Sequence, residues 1–102
     1  MIISKFFNIG KIVASRGVNT AMGENNRFAA EVCLSLQRYC VKDWGDLSEN
    51  DKQANMDALQ YPDDLNLLAA YQTCEGKIYI MTNRISENAG DNGTTVCFSD
   101  ER

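Results

Sequence analysis

LNLLAAYQTCEGKIYIMTNR, residues 65–84, is the stretch of this chain that decides its fold. Its second half alternates in character: Ile78 and Ile80 share one face, which is typical of a β-strand. Glu75-Gly76 is predicted to form a tight turn, and the apolar first half is then predicted to be the partner strand. The stretch therefore predicts a β-hairpin, and the segments on either side have to be arranged around it.

Two segments upstream of the hairpin are predicted to be helices. In residues 26–44, NRFAAEVCLSLQRYCVKDW, the apolar residues recur three or four positions apart. Asn26 is predicted to cap the start of this helix, and Gly45 to end it. In residues 47–60, LSENDKQANMDALQ, Ser48 is the predicted N-cap, and the proline of the following YPDD ends the helix.

The remaining segments complete a short series of elements. Residues 6–15, FFNIGKIVAS, are predicted to be a strand, and residues 16–26, RGVNTAMGENN, a loop with no more than a helical turn. A polar loop over 85–93 and a strand over 94–99, TTVCFS, follow the hairpin. The order β-α-α-β-β-β predicts a single α+β domain over residues 1–102. Its small antiparallel β-sheet, of three to four strands, is packed by two α-helices.

Charge is divided unevenly along the chain, whose formal net charge is −4. Residues 1–42 carry six basic and two acidic residues, whereas residues 43–102 carry four basic and twelve acidic residues. Binding to nucleic-acid phosphates requires clustered Lys and Arg, so the acidic second half disfavours direct nucleic-acid binding. The same half favours a protein partner with a basic surface.

Four cysteines and the absence of histidine limit the chemistry. Cys33 and Cys40 lie on one predicted helix, about 10 Å apart at a rise of ~1.5 Å per residue, which is too far for a disulfide. No two cysteines have the close spacing of a typical metal-binding pair. We therefore expect four buried free thiols (Cys33, Cys40, Cys74 and Cys97), no metal and no cofactor, in a reducing cytoplasm.

The first residues raise the question of a membrane or export segment. MIISKFFNIGKIV, residues 1–13, is interrupted by Lys5, Gly10 and Lys11 and is not followed by a small-residue cleavage site. The chain also lacks a run of about eighteen apolar residues that could span a bilayer. We expect this segment to be the first structural element, and the protein to have no membrane association.

DWGDLSENDKQAN, residues 43–55, is the other conspicuous stretch, because it holds the only tryptophan and four acidic residues. Helix capping and solvation account for Glu49 and Asp51, which favour the positive end of a helix dipole. Docking to a partner and catalysis or metal binding are the alternatives. Trp44 is expected either to pack at the helix joint or to be a contact residue in an interface.

Catalysis is disfavoured throughout the chain. Ser–His–Asp and Cys–His schemes are excluded because there is no histidine, and no phosphate-binding glycine motif is present. We predict no catalytic residues and a non-enzymatic protein. Three aromatic residues on the predicted strands, Tyr71, Tyr79 and Phe98, fit core or cross-strand pairing better than stacking on single-stranded nucleic acid, because flanking cations are few.

Several motifs resemble a family of small proteins carried by bacterial plasmids, phages and integrated elements. They are GKIVAS, SLQRYCVKDWGDLSENDKQAN, LLAAYQT, KIYIMTNR and TTVCFSDE, in that order. Asp43-Trp44-Gly45-Asp46, with Asp51-Lys52 and Asn55, is the most specific part. The loop over 85–93 is longer than in that family, so this hairpin tip is expected to be remodelled. The resemblance implies a mobile-element origin and supplies no catalytic residues.

These observations together predict a binding protein of a mobile element that acts on a host protein. An acidic surface that occupies the basic channel of a defence nuclease, as in anti-CRISPR or anti-restriction inhibitors, fits the charge division. The alternative is a plasmid or phage regulatory or accessory protein that acts as a homodimer through a sheet edge. The predicted partner-binding residues are Asp43, Trp44, Asp46, Glu49, Asp51, Asp57, Asp63 and Asp64.

Overall fold

A computed structural model describes residues 3–89 and 91–102, and these residues form three α-helices and four β-strands. The elements are β1 (Lys11–Ala14), α1 (Arg16–Glu24), α2 (Asn26–Cys40), α3 (Glu49–Ala58), β2 (Asn66–Thr73), β3 (Gly76–Arg84) and β4 (Asn92–Phe98). Short 3-10 turns cover Pro62–Asp64 and Ser99–Glu101. Among the described residues, no helix is long and apolar enough to cross a membrane.

The strands form one sheet in the order β1-β4-β3-β2, which confirms the α+β class. β2, β3 and β4 are antiparallel neighbours, but β1 pairs with β4 in parallel. The sheet is therefore mixed, and the prediction of a wholly antiparallel sheet is wrong for β1. The reason lies in the path of the chain: three helices and a hairpin intervene before β4 returns beside β1, so no tight turn forces the two strands to run in opposite directions.

α1 occupies the segment that was predicted to be a loop, so the fold contains three helices instead of two. The Ser15 hydroxyl caps its start by accepting a hydrogen bond from the Val18 N–H at 3.2 Å. The Glu101 carboxylate accepts a second one from the Gly17 N–H at 3.0 Å. Val18 is fully buried, so the helix is stabilised by a cap, a distant carboxylate and core packing that outweigh its weak intrinsic propensity.

α2 is the central helix and buries the predicted stripe of Phe28, Val32, Leu36 and Tyr39. Its N-cap is Asn25 and not Asn26, because the Asn25 side chain accepts the Phe28 N–H at 3.2 Å. The helix ends at Cys40, before the predicted stop at Gly45.

The hairpin is confirmed, with small shifts at its ends. Cys74 and Glu75 form the turn, while Gly76 already pairs with Thr73 and has a φ of +112°. β4 begins at Asn92, two residues before the predicted start. The strand predicted over 6–15 is regular only from Lys11 to Ala14.

The segment before β1 packs into the core without forming a strand. Phe7 and Ile9 are buried there, and a chain of hydroxyl groups holds the backbone. The Tyr39 hydroxyl donates to the Thr82 hydroxyl at 2.6 Å, which lies 2.7 Å from the Thr94 hydroxyl. Thr94 donates in turn to the Ile9 carbonyl at 2.6 Å. Burial raises the pKa of Tyr39 well above its usual value, so its hydroxyl stays protonated and can donate.

The core lies on one face of the sheet only. Inward side chains of the strands, such as Leu67, Ile78, Ile80 and Val96, pack against Phe28 and its neighbours on α2. The alternate residues on the same strands do not belong to this core. The fold therefore has two layers, helices and sheet.

Candidate functional site: the acidic segment at the β2 edge

Residues 43–55 lie against the outer edge of β2, and Gly45 makes the closest contact. Gly45 forms a parallel bridge to Ala70, with the Asp46 N–H donating to the Ala70 carbonyl at 2.7 Å and the Ala70 N–H donating to the Trp44 carbonyl at 3.2 Å. The φ of Gly45 is +72°, and a Cβ there would lie 2.0 Å from the Ala70 carbonyl oxygen. Glycine is required here for close backbone approach, not for ending a helix.

Asn55 closes the next part of the same edge. Its side-chain Nδ2 donates to the Leu68 carbonyl at 2.6 Å, and its Oδ1 accepts the Leu68 N–H at 3.0 Å. The amide thus makes the two hydrogen bonds that a neighbouring strand would make. Asn55 is the only buried residue of α3, so this pair of bonds positions the helix on the sheet.

Trp44 is 4% exposed and packs in the core, as the packing alternative predicts. Its ring lies 5.5 Å from the Tyr39 ring and 6.1 Å from the Phe7 ring, measured between centroids. The indole therefore lies behind the surface and fixes the joint between α2 and α3. This burial removes Trp44 from the set of side chains that a partner would contact in this conformation.

The Asp43 carboxylate forms hydrogen bonds within the chain. One carboxylate oxygen accepts from Arg38 Nε at 2.8 Å, and the other accepts from Arg38 Nη2 at 3.2 Å and from the Gly45 N–H at 3.2 Å. The Arg38 guanidinium lowers the pKa of Asp43, and the Gly45 N–H adds to that effect. Since its charge is neutralised by Arg38, Asp43 contributes more to closing the turn than to the surface charge.

The other six predicted acids are exposed, and they line α3 and the turns at its two ends. We call this set the acidic surface; it comprises Asp46, Glu49, Asp51, Asp57, Asp63 and Asp64. Two cations approach it: Lys52 Nζ lies 3.7 Å from Glu49, and Arg84 Nε lies 3.7 Å from Asp64. Six carboxylates and two cations leave a net charge of −4 on this surface.

The Ser48 cap explains how the acidic residues are presented. Its hydroxyl accepts the Asp51 N–H at 3.2 Å, as predicted, which starts the helix with two carboxylates in the first turn. These carboxylates are favoured by the helix dipole and remain solvated. The sequence therefore predicts these charges and their exposure. No local sequence pattern, however, predicts that Gly45 and Asn55 contact the edge of β2.

A shallow depression of about 290 Å³ lies beside this segment, lined by Arg38, Gly45, Asp46, Tyr71 and Gln72. The Arg38 guanidinium stacks 5.0 Å from the centroid of the Tyr71 ring. The Tyr71 hydroxyl donates to the Asp43 carbonyl at 2.6 Å, and burial raises its pKa. These groups satisfy one another and do not form a nucleophile with a base.

The four cysteines are free, but only Cys40 and Cys97 are buried. The expectation of burial is wrong for Cys33, which lies on the solvent side of α2, and for Cys74, which lies in the hairpin turn. The hydrogen bond with Glu31 raises the pKa of the Cys74 thiol, which makes it a weaker nucleophile. Within residues 3–89 and 91–102, no cluster of His, Cys, Asp or Glu is arranged to hold a metal ion.

Two of the aromatic residues considered for stacking on nucleic acid have other contacts. Tyr71 is 1% exposed, and Phe98 stacks on Phe28 with 5.5 Å between centroids. Tyr79 lies on the sheet face away from the helices, with Lys77 Nζ 5.5 Å and Arg102 Cζ 4.9 Å from its ring centroid.

Comparisons with protein-family models, with curated proteins and with solved structures found no match. The residues themselves therefore have to carry any functional argument.

Proposed function

We propose that this chain is a small, non-enzymatic, cytoplasmic protein of a mobile genetic element that binds a host protein through its acidic surface. The observation that carries the proposal is the net charge of −4 on α3 and its flanking turns, where six exposed carboxylates face two paired cations, Lys52 and Arg84, among the described residues. Exposed carboxylates of one sign raise the rate of association with a basic surface and orient the encounter.

The partner class that we propose is a host defence nuclease, of the kind inhibited by anti-CRISPR or anti-restriction proteins. Such enzymes hold nucleic acid in channels lined by Lys and Arg, and a row of carboxylates occupies a channel of that kind in place of phosphates. α3 suits this role because it stands at the edge of the sheet and buries only Asn55. The motif resemblance to plasmid- and phage-borne proteins agrees with a mobile-element origin.

The test is a charge reversal with a matched control. The variant Glu49→Lys, Asp57→Lys, Asp63→Lys changes the acidic surface, and the control Glu24→Lys, Glu87→Lys, Asp100→Lys changes three exposed carboxylates elsewhere by the same total charge. Purified CRISPR and restriction nucleases are assayed for DNA cleavage with each protein added. We expect the wild type and the control to inhibit one of them, and the surface variant to lose at least ~10-fold in potency at low salt.

Equal inhibition by the two triple variants would refute the acidic surface as the contact. Thermal unfolding of both variants shows whether a lost activity reflects a lost fold. Raising the salt concentration should weaken wild-type inhibition, because exposed charges are screened over about 8 Å at physiological ionic strength.

A second candidate function is a regulatory or accessory protein of a plasmid or phage that acts as a dimer. The observation that favours it is the position of β1, which lies at an edge of the sheet and has a strand partner on one side only. Dimerisation through β2 is disfavoured, because Gly45 and Asn55 already occupy its edge. A sizing experiment that finds only monomer at high concentration would exclude this candidate.

A further inference from the structure

The sheet face opposite the helices, here called the outer face, has an apolar centre. The strand register aligns Leu68, Met81, Thr95 and Val13 in one row across all four strands. The next row is formed by Ala70, Tyr79 and Cys97; Ala70 and Cys97 are buried at 0% and 3% exposure, so Tyr79 is the accessible residue of this row. None of these residues belongs to the core on the helix side, and six of the seven are apolar.

The two ends of the outer face are polar. One end row is Asn66, Asn83, Gly93 and Lys11, and the other holds Gln72 and Lys77. The solvated face of an antiparallel sheet usually carries polar side chains along its whole length. An uncharged apolar centre with a polar rim is instead the pattern of a protein–protein interface.

Exposed apolar side chains extend this centre towards one edge. Val13 is 48% exposed on β1. Ile85 is 59% exposed, and its side chain lies over Gly93, where an added Cβ would be 2.6 Å from Ile85 Cγ2. Among the described residues, neither has a helix over it, so this part of the outer face is open to a partner.

The charges at the corners of the outer face are complementary to each other. Lys11 lies at the β1 corner, in the end row that contains Asn66. Asp46 lies at the diagonally opposite corner, where its carboxylate accepts from Gln72 Nε2 at 3.4 Å. A two-fold axis that lies between the two faces, along the other diagonal, would place Lys11 of each copy over the Asp46 corner of the other copy. The strands of the two sheets would then cross at a steep angle.

We propose that the outer face binds a second copy of this chain. The row of Leu68, Met81, Thr95 and Val13 carries no charge, so a second copy brings no like charges together there, and the corner residues supply attraction and orientation. A polyanion such as single-stranded nucleic acid fits less well, because Lys11 lies at the β1 corner, and Lys77 and Arg102 are already held against the Tyr79 ring.

The size of the outer face sets the expected strength. Four strands spaced by ~4.8 Å and about seven residues at ~3.3 Å each give a footprint of roughly 440 Å² per copy. Two such footprints fall below the size of a standard stable interface, which is about 1,200–2,000 Å². The dimer should therefore be weak, with a Kd on the order of 100 μM, and it should form at high local concentration.

Sedimentation velocity from ~10 μM to ~1 mM, a range that spans the expected Kd, measures this equilibrium. Met81→Glu places a charge in the centre of the outer face, and Met56→Glu places the same charge on the exposed side of α3 as a control. We expect wild type and Met56→Glu to dimerise, and Met81→Glu to remain monomeric with an unchanged far-UV spectrum. A wild type that stays monomeric throughout, or a Met81→Glu protein that dimerises equally well, would overturn the proposal.

A charge swap tests the orientation. Lys11→Glu and Asp46→Lys should each raise the dimer Kd by about 2- to 5-fold per broken ion pair, and the double variant should restore it. Failure of the double variant to recover would contradict the diagonal arrangement. Met81→Glu leaves the acidic surface untouched, so it should still inhibit a nuclease; failure of the dimer is thus distinguishable from failure of the proposed function.

Discussion

Asn55→Ala should strongly destabilise this protein, although the residue lies in the most polar helix. Asn55 is 3% exposed, and its amide makes two hydrogen bonds to the backbone of Leu68, at 2.6 and 3.0 Å. Alanine would leave the Leu68 N–H and carbonyl without partners at a partly buried sheet edge. Each unsatisfied buried group costs about 1–3 kcal/mol, so we expect the two groups together to cost about 2–6 kcal/mol.

Urea unfolding measures this loss. For a chain of this size, a slope of ~1.5 kcal/mol per M converts a loss of ~3 kcal/mol into a midpoint about 2 M lower. That is a large part of the ~5–15 kcal/mol that stabilises a typical domain. Asn50→Ala, at an exposed position of the same helix, should change stability by less than ~0.5 kcal/mol.

Asn55→Asp separates the two hydrogen bonds. The carboxylate still accepts the Leu68 N–H, but it cannot donate to the Leu68 carbonyl and faces it with a second oxygen. At neutral pH this variant should be at least as unstable as Asn55→Ala. If both variants unfold within ~0.5 M urea of the wild type, water replaces the amide at no cost and the strand-like role of Asn55 is refuted.

Three further predictions concern single sites. Gly45→Ala should cost at least ~2 kcal/mol, because a Cβ would lie 2.0 Å from a backbone oxygen at a φ of +72°. Gly23→Ala, where an added Cβ meets nothing within 4 Å, should instead stabilise α1 by about 0.5–1 kcal/mol in thermal unfolding. Hydrogen bonds, first of all from the Ser15 hydroxyl, lower the pKa of Glu101 in the folded state. Its contribution is therefore present above the unfolded pKa of about 4.3 and is lost as the pH falls through the folded value. Glu101→Gln should flatten this acid-side decline in stability, whereas Asp100→Asn, with the same change in charge, should retain it.

Elements with a strong local signal could be predicted from the sequence. The alternation in β3 predicts the hairpin, the apolar stripe of α2 predicts the main helix, and Ser48 predicts the start of α3. In each case, residues within a few positions of one another supply the stabilising contact. Local pattern and final structure agree because the deciding interaction is itself local.

The missed features depend on residues far apart in the chain. α1 is completed by Glu101, which lies more than eighty positions from Ser15 and Gly17. The parallel pairing of β1 is decided only when β4 returns beside it. Sequence periodicity does not reveal such long-range contacts, so the glycines and asparagines of the α1 segment predict a loop.

Residues 43–55 contain both kinds of feature, those that a local pattern predicts and those that depend on distant contacts. The inward residues close the β2 edge: the side chains of Trp44 and Asn55 are buried, and the backbone of Gly45 pairs with Ala70. The outward residues, such as Glu49 and Asp57, are exposed to solvent. The outward charges were predictable from composition, but the inward roles required the position of β2. Because the two sets differ in orientation, the inward residues govern stability and the outward ones govern surface charge. If substitution of an inward residue weakens binding, the loss can therefore result from lost stability and does not show that the residue contacts the partner. Only a variant such as Asp57→Lys, which alters charge and leaves the edge closed, tests the acidic surface itself.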